Sequence, residues 1–172
     1  SAGIGDPQRP TLEQDAATFD RILAVHLRGT FTASREAARA MAESGGGAIL
    51  NLASIAGLTG LPRRNAYGAA KAGIVAMTRG MACEWAGQGI RVNAIAPGYV
   101  RTALVAKLEA EGRLDGARIR RRIPMGRLAE PEELAEAAWF LCSPAASYIT
   151  GTVLGVDGGW MAFGDSGDAS AG

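Results

Sequence analysis

Lysine is almost missing from this 172-residue chain. Of its 18 basic residues all but Lys71 and Lys107 are arginine. A chain so biased towards arginine points, where it keeps a lysine, to a compact ammonium rather than a guanidinium fork. Histidine occurs only as His26 and cysteine only as Cys83 and Cys142, so nothing has the spacing of a metal cluster and no metal is expected. The two thiols read as small buried hydrophobes in a reducing, cytoplasmic setting. An excess of charge is also lacking: 18 basic against 17 acidic residues give a net +1, which argues against a nucleic-acid partner. No apolar run nears the roughly 18 residues of a membrane span, and no leader pattern opens the sequence, so no membrane partner is expected. What is present is 48% apolar residues, over a length suited to about one domain, enough for a core rather than a disordered tether.

Hydrophobic spacing alternates between two periods. Thr11 and Gln14 read as a capping box, and Phe19, Ile22, Leu23, Leu27 and Phe31 then recur at helical spacing, giving a long helix to about Met41. Gly45, Gly46 and Gly47 end it, and residues 48–53 read as a short buried strand. A second helix is expected over 65–86, a second strand over 90–95, and a break at Pro97 and Gly98. The pattern weakens over 102–126. Pro131 then suits the first position of a helix whose buried face is Leu134, Ala137, Ala138 and Leu141, with Trp139 packed in the core. A third strand follows over 152–156. Helices alternating with strands predict an α/β protein with a parallel sheet covered by helices.

The chemistry concentrates in three residues. Tyr67 and Lys71 lie four apart at the start of the second helix and project from one face. A phenol near pKa 10 is a poor acid–base group at neutral pH, but a nearby ammonium favours the phenolate. Such a pair can exchange a proton with an alcohol or carbonyl oxygen. Ser54 ends the first strand, where its hydroxyl can bond the same oxygen. In open α/β sheets ligands bind beyond the carboxyl ends of the strands, where Ser54, Pro97 and Gly98 all fall.

Tyr-x-x-x-Lys alone arises often by chance; its setting is more specific. Asn51-x-x-Ser54, Tyr67 thirteen residues beyond that serine, Lys71, Arg91-Val92-Asn93, and the run Pro97, Gly98, Tyr99, Val100, Arg101, Thr102 together resemble the short-chain dehydrogenase/reductase family. Ala2-Gly3, the Val25 to Phe31 segment, Ile149-Thr150-Gly151 and Val156 to Gly159 agree with the same pattern. The resemblance implies a Rossmann-like, doubly wound sheet and an oxidoreductase that uses NAD or NADP on a secondary alcohol or ketone. By that resemblance Tyr67 is the general acid/base, Lys71 tunes it and binds the nicotinamide ribose, and Ser54 and Tyr67 hold the substrate oxygen. Ala2, Gly3, Pro97, Gly98, Val100 and Thr102 line the cofactor. The resemblance also implies a homotetramer or dimer, and the small residues Gly68, Ala69, Ala70, Ala72 and Gly73 on the second helix suit close contact between subunits.

Two departures stand out. His26 occupies a position where the family usually has Asn, as a proton relay or as an ordinary packed helix histidine. The family's Gly-rich dinucleotide loop is absent, and Gly3-Ile4-Gly5 does not replace it because no strand precedes it. Residues 1–163 are therefore expected to be the C-terminal part of one NAD(P)-binding domain, followed by a mobile tail over 164–172. A catalytically silent subunit or scaffold is the alternative. A serine hydrolase using Ser54 and His26 is a weak third, since no nucleophile-elbow motif surrounds Ser54. Arg118, Arg120, Arg121 and Arg122 form a basic cluster, read as a solvated face, a subunit contact or a site for an anionic substrate. Sugars or polyols and 3-oxoacyl thioesters are both open as substrates, with polyols favoured by an Arg-rich lid that has few bulky aromatics.

Overall fold

The computed structural model describes residues 3–112, 114–165 and 167–169. Among the described residues six α-helices and three strands follow one another: α1 (Ala16–Leu23), α2 (Gly29–Glu43), β1 (Gly47–Leu52), α3 (Asn65–Trp85), β2 (Ile90–Pro97), α4 (Ala103–Ala110), α5 (Gly116–Arg121), α6 (Pro131–Cys142) and β3 (Val153–Val156). The sheet order is β1-β2-β3 and both pairings are parallel. Leu52 lies beside Ile95, and Pro97 beside Val156. The carboxyl ends of all three strands therefore meet at one edge. This is the arrangement of parallel strands and covering helices that the alternating pattern predicts, in keeping with the Rossmann-like sheet that the resemblance implies.

The core explains why these segments hold their positions. Ile49 on β1 and Ile90 and Val92 on β2 are buried against Ala38 of α2 and Met81 and Ala82 of α3. Ala53, Ala94 and Ala96 pack on Ile74 and Val75. A separate cluster of Ile119, Ile123 and Leu128, with Tyr99 and Trp160 against it, anchors the region after β2. Within the first layer runs a buried polar chain: the Ser34 hydroxyl donates to Asn51 Oδ1 at 3.1 Å, and Asn51 Nδ2 donates to Thr78 Oγ1 at 3.0 Å. Asn51→Leu strands two buried hydroxyls, so it is expected to destabilise the full-length protein by about 2–4 kcal/mol. Urea unfolding would show a lower midpoint with an unchanged slope, and an unchanged midpoint would refute the estimate.

Helix ends account for several differences from the sequence reading. The box at Thr11 and Gln14 does not form. Residues Thr11–Glu13 make one 3-10 turn, the Gln14 amide donates to the Arg9 carbonyl at 2.8 Å, and Thr11 Oγ1 accepts from Asn65 Nδ2. Gln14 is extended, and Asp15, whose shorter carboxylate accepts from the Thr18 N–H at 2.7 Å, caps α1 instead. The long helix is also not uniform, since Ala24–Arg28 forms a π-turn between α1 and α2. Pro131 starts α6 as expected, with Glu130 and Glu133 forming the capping box. The Arg127 side chain, with the Glu130 backbone N–H, pushes the Glu133 carboxyl down to about 2.

Two side-chain expectations are corrected. Trp139 is 74% exposed, because it lies on the face of α6 opposite buried Leu141. Cys83 and Cys142 are both exposed and unpaired rather than buried, each on the outward side of its helix. The segment read as a mobile tail makes two contacts through its described residues. The Ala169 N–H donates to the Arg121 carbonyl at 2.7 Å, and Asp168 lies 3.4 Å from Arg121.

Candidate active site

Four elements converge at the carboxyl edge of the sheet. The turn after β1 carries Ser54, the first two turns of α3 carry Tyr67 and Lys71, the π-turn carries His26, and the end of β2 with the segment after it carries Pro97 to Thr102. Lys71 is only 5% exposed, and its ammonium donates to the Leu52 carbonyl, two residues before Ser54, at 2.6 Å. It also lies 5.5 Å from the centre of the Tyr67 ring. Burial holds the Lys71 ammonium below the ordinary lysine range. His26, also buried, meets the Tyr67 ring edge-on, with ring centres 5.3 Å apart at 89°. The structure thus brings Tyr67, Lys71 and His26 together, and the Lys71 bond to Leu52 ties them to the strand end that carries Ser54.

Glycine and local turns set these approaches. A Cβ on Gly57 would lie 2.6 Å from the Lys71 backbone carbon, so only glycine lets the turn after Ser54 rest on α3 there. The Ser54 Oγ accepts from the Ala56 N–H at 3.2 Å, which uses an acceptor site and leaves the hydroxyl proton to donate elsewhere. Asp6 Oδ2 accepts from the Tyr67 N–H at 3.4 Å at the start of α3. His26 Nε2 lies 3.0 Å from the Ile4 carbonyl oxygen and 3.3 Å from its N–H, so the imidazole also pins the segment beginning at Gly3. A Cβ on Gly3 would sit 3.2 Å from His26 Cε1. Ala2 lies outside the described residues.

Beyond β2, the Gly98 N–H donates to the Val156 carbonyl, and a Cβ on Gly98 would meet the Asp157 backbone at 2.9 Å. Val100 bridges to Ala129, and the Thr102 hydroxyl caps α4 by accepting from the Val105 N–H at 3.2 Å. Gly57, Asp6 and the Leu52 carbonyl were not singled out from the sequence. Asp6 had a legible signal, because its other carboxylate oxygen accepts from the Gln8 N–H across Pro7 as an Asx turn does. Gly57 and the Leu52 carbonyl had none, since a close approach between segments leaves no local mark. Two of the small residues on α3 find their reason inside the chain: a Cβ on Gly73 would strike Leu27 at 2.7 Å, and one on Gly68 would crowd the Ala56 carbonyl at 3.1 Å.

The family described as Enoyl-(Acyl carrier protein) reductase matches residues 1–161. The chain is 50% identical over 169 residues to a short-chain type dehydrogenase/reductase, y4vI, of Sinorhizobium fredii, covering 98% of this chain and 30% of that protein. It is 47% identical over 162 residues to cis-4-hydroxycyclohexanecarboxylate dehydrogenase of Sinomonas cyclohexanicum, covering 94% of this chain and 64% of that one. The solved structure of ElxO with NADP bound superposes with a TM-score of 0.90 at 32% identity, over 95% of this chain and 66% of the other. The chain therefore spans from under a third to about two thirds of the length of these proteins.

Proposed function

The chain belongs to the short-chain dehydrogenase/reductase family, and from that membership we propose that it carries the catalytic part of an NAD(P)-dependent oxidoreductase acting on a secondary alcohol or ketone. The observation that carries this reading is the buried Lys71 ammonium beside the Tyr67 ring at the carboxyl edge of a parallel sheet. An ammonium has three donors, and Leu52 takes one. The others fit the hydroxyls of a nicotinamide ribose, while Gly3 and the segment Pro97, Gly98, Val100 and Thr102 suit the walls beside it. One relative is described with NADP bound and another is named for a hydroxycyclohexanecarboxylate, which supports both the cofactor class and the alcohol class.

In this mechanism the Tyr67 phenol receives the alcohol proton during oxidation and returns it during reduction. Lys71 favours the phenolate through its charge and keeps the helix face in place through Leu52. The Ser54 hydroxyl, its acceptor side held by Ala56, donates to the substrate oxygen. The nicotinamide, when bound, accepts or supplies the hydride. Residues 1–163 would form the C-terminal part of the cofactor-binding domain, in a cytoplasmic homo-oligomer acting on a polyol, sugar or 3-oxoacyl type of substrate. Titration of the full-length protein with NADH and NADPH, followed by alcohol-dependent cofactor reduction, tests the reading. Failure to bind either nucleotide would overturn it.

His26→Asn is expected to leave kcat within about tenfold, or 1.4 kcal/mol of activation free energy. Asparagine is the residue the family usually has here, and its shorter side chain gives up the Nε2 contacts with the Ile4 backbone and the edge-on contact with Tyr67 while leaving the Tyr67 phenol and the Lys71 ammonium unchanged. A larger loss, or a shifted pH–rate profile, would instead assign His26 a dedicated part in proton transfer.

A further inference from the structure

A groove of about 540 Å³ opens between the two loops that flank the candidate site. Pro62, from the loop joining Ser54 to Tyr67, forms one wall, and Tyr99, just after β2, forms another. A third wall is α5 and its continuation, where Arg118, Arg121 and Arg122 stand at the spacing of one helix face, and Trp160, Gly167 and Asp168 close the groove from the C-terminal segment. Buried Ile119 anchors that helix in the core, and Arg120 points away to pair with Glu109 at 2.7 Å. The four-residue basic cluster is thus sorted: three arginines line the groove and the fourth is neutralised elsewhere.

The three lining arginines differ in how fully they are occupied. Arg122 is fixed: it donates to the Trp160 and Phe163 carbonyls at 3.2 and 2.7 Å and lies over both rings at 5.2 and 4.8 Å. Arg121 faces Asp168 at 3.4 Å, with both side chains about half exposed. Arg118 is exposed and has no ion-pair partner among the described residues. Asp168 is the groove's only carboxylate among the described residues, so the wall keeps an excess of positive charge. It also shows what the wall accepts, since it holds a carboxylate against Arg121.

Resting on the oxidoreductase reading above, we infer that the substrate is a hydroxy acid or oxo acid whose carboxylate seats against Arg118 and Arg121 in this groove. The charged end then lies against α5, and the alcohol or ketone carbon extends past Pro62 and Tyr99 towards the loops that flank the candidate site. Asp168 competes for Arg121, so its removal strengthens the preference.

The test compares binding of cyclohexanecarboxylate and cyclohexanecarboxamide to the full-length protein by calorimetry and Trp160 fluorescence. The acid is expected to bind about tenfold or more tightly than the amide. Arg118→Gln with Arg121→Gln abolishes that preference, and Asp168→Asn enlarges it. Both arginines are exposed, so the double variant should keep the near-UV circular dichroism of the parent. Equal affinities in the parent, or a preference unmoved in the double variant, overturns the inference even if alcohols are oxidised. Oxidation of 4-hydroxycyclohexanecarboxylate and its methyl ester is measured in parallel. If the protein binds neither NADH nor NADPH while acid-selective binding persists, the oxidoreductase reading falls and the carboxylate site stands.

Discussion

Tyr67→Phe is expected to lower turnover of the full-length protein by at least 10²–10⁴-fold, the usual worth of a positioned general acid or base, while NAD(P)H affinity stays nearly unchanged. The substitution removes one oxygen and preserves the ring. The edge-on contact with His26 and the approach of the Lys71 ammonium both involve that ring and survive the change. A loss of chemistry with intact nucleotide binding therefore isolates the phenol. Pre-steady-state measurement of cofactor reduction, alongside a fluorescence titration with NADPH, separates the two. Retention of most of kcat would remove Tyr67 from the proposed mechanism.

Lys71→Arg is expected to be nearly as damaging to turnover, at about 10²-fold or more, and unlike Tyr67→Phe it should also destabilise the fold. The ammonium occupies a nearly closed space, bonded to the Leu52 carbonyl at 2.6 Å, and the turn at Gly57 rests on the Lys71 backbone. A guanidinium brings a wider plane and five donors into that space. Overpacking costs about 1–3 kcal/mol, and donors left without partners add to it. Near-normal kcat and unfolding midpoint together would refute the placement of Lys71.

Lys71 also confers a pH dependence whose sign is fixed. Burial lowers its pKa from the ordinary 10.5. Below the folded-state value both folded and unfolded chains hold the proton, and the penalty for burying the charge is constant. As pH rises from there towards 10.5 the unfolded chain holds more protons than the folded one, so this group's contribution makes stability rise with pH. Lys71→Met should abolish that rise. The difference in unfolding free energy between parent and variant, drawn against pH, checks it.

The strands and the start of α6 were legible because their signals are local. Pro131 tolerates only a few helix positions, and Ile90, Val92 and Ala94 alternate with Arg91 and Asn93 at the two-residue period of a strand. The pairing of Tyr67 with Lys71 was legible for the same reason, being one helical turn. Trp139 was misplaced because Leu134, Ala137 and Ala138 mark a face too broad for its edges to be resolved by spacing. Thr11 and Gln14 had the letters of a capping box, but Asp15 offered a tighter cap four residues beyond Thr11, and only the competition between them decides. The Leu52 carbonyl and Gly57 could not be found at all, since both act through contacts between segments distant in sequence. The π-turn was equally hidden, because Ala24 to Arg28 are ordinary helix formers.

That wider turn sets the angular phase of the two helices it joins. In a regular α-helix each residue advances about 100° around the axis. The extra residue accommodated at Ala24–Arg28 offsets the apolar stripe of α1 from that of α2, so Ile22 faces α3 while Ser34 and Ala38 face β1. Deleting any one residue from this turn would restore regular winding and swing one stripe out of register with its wall by about a quarter of a revolution. His26 would leave its place against Tyr67 in the same motion. The length of this five-residue stretch is thus under tighter constraint than the identity of most of its side chains.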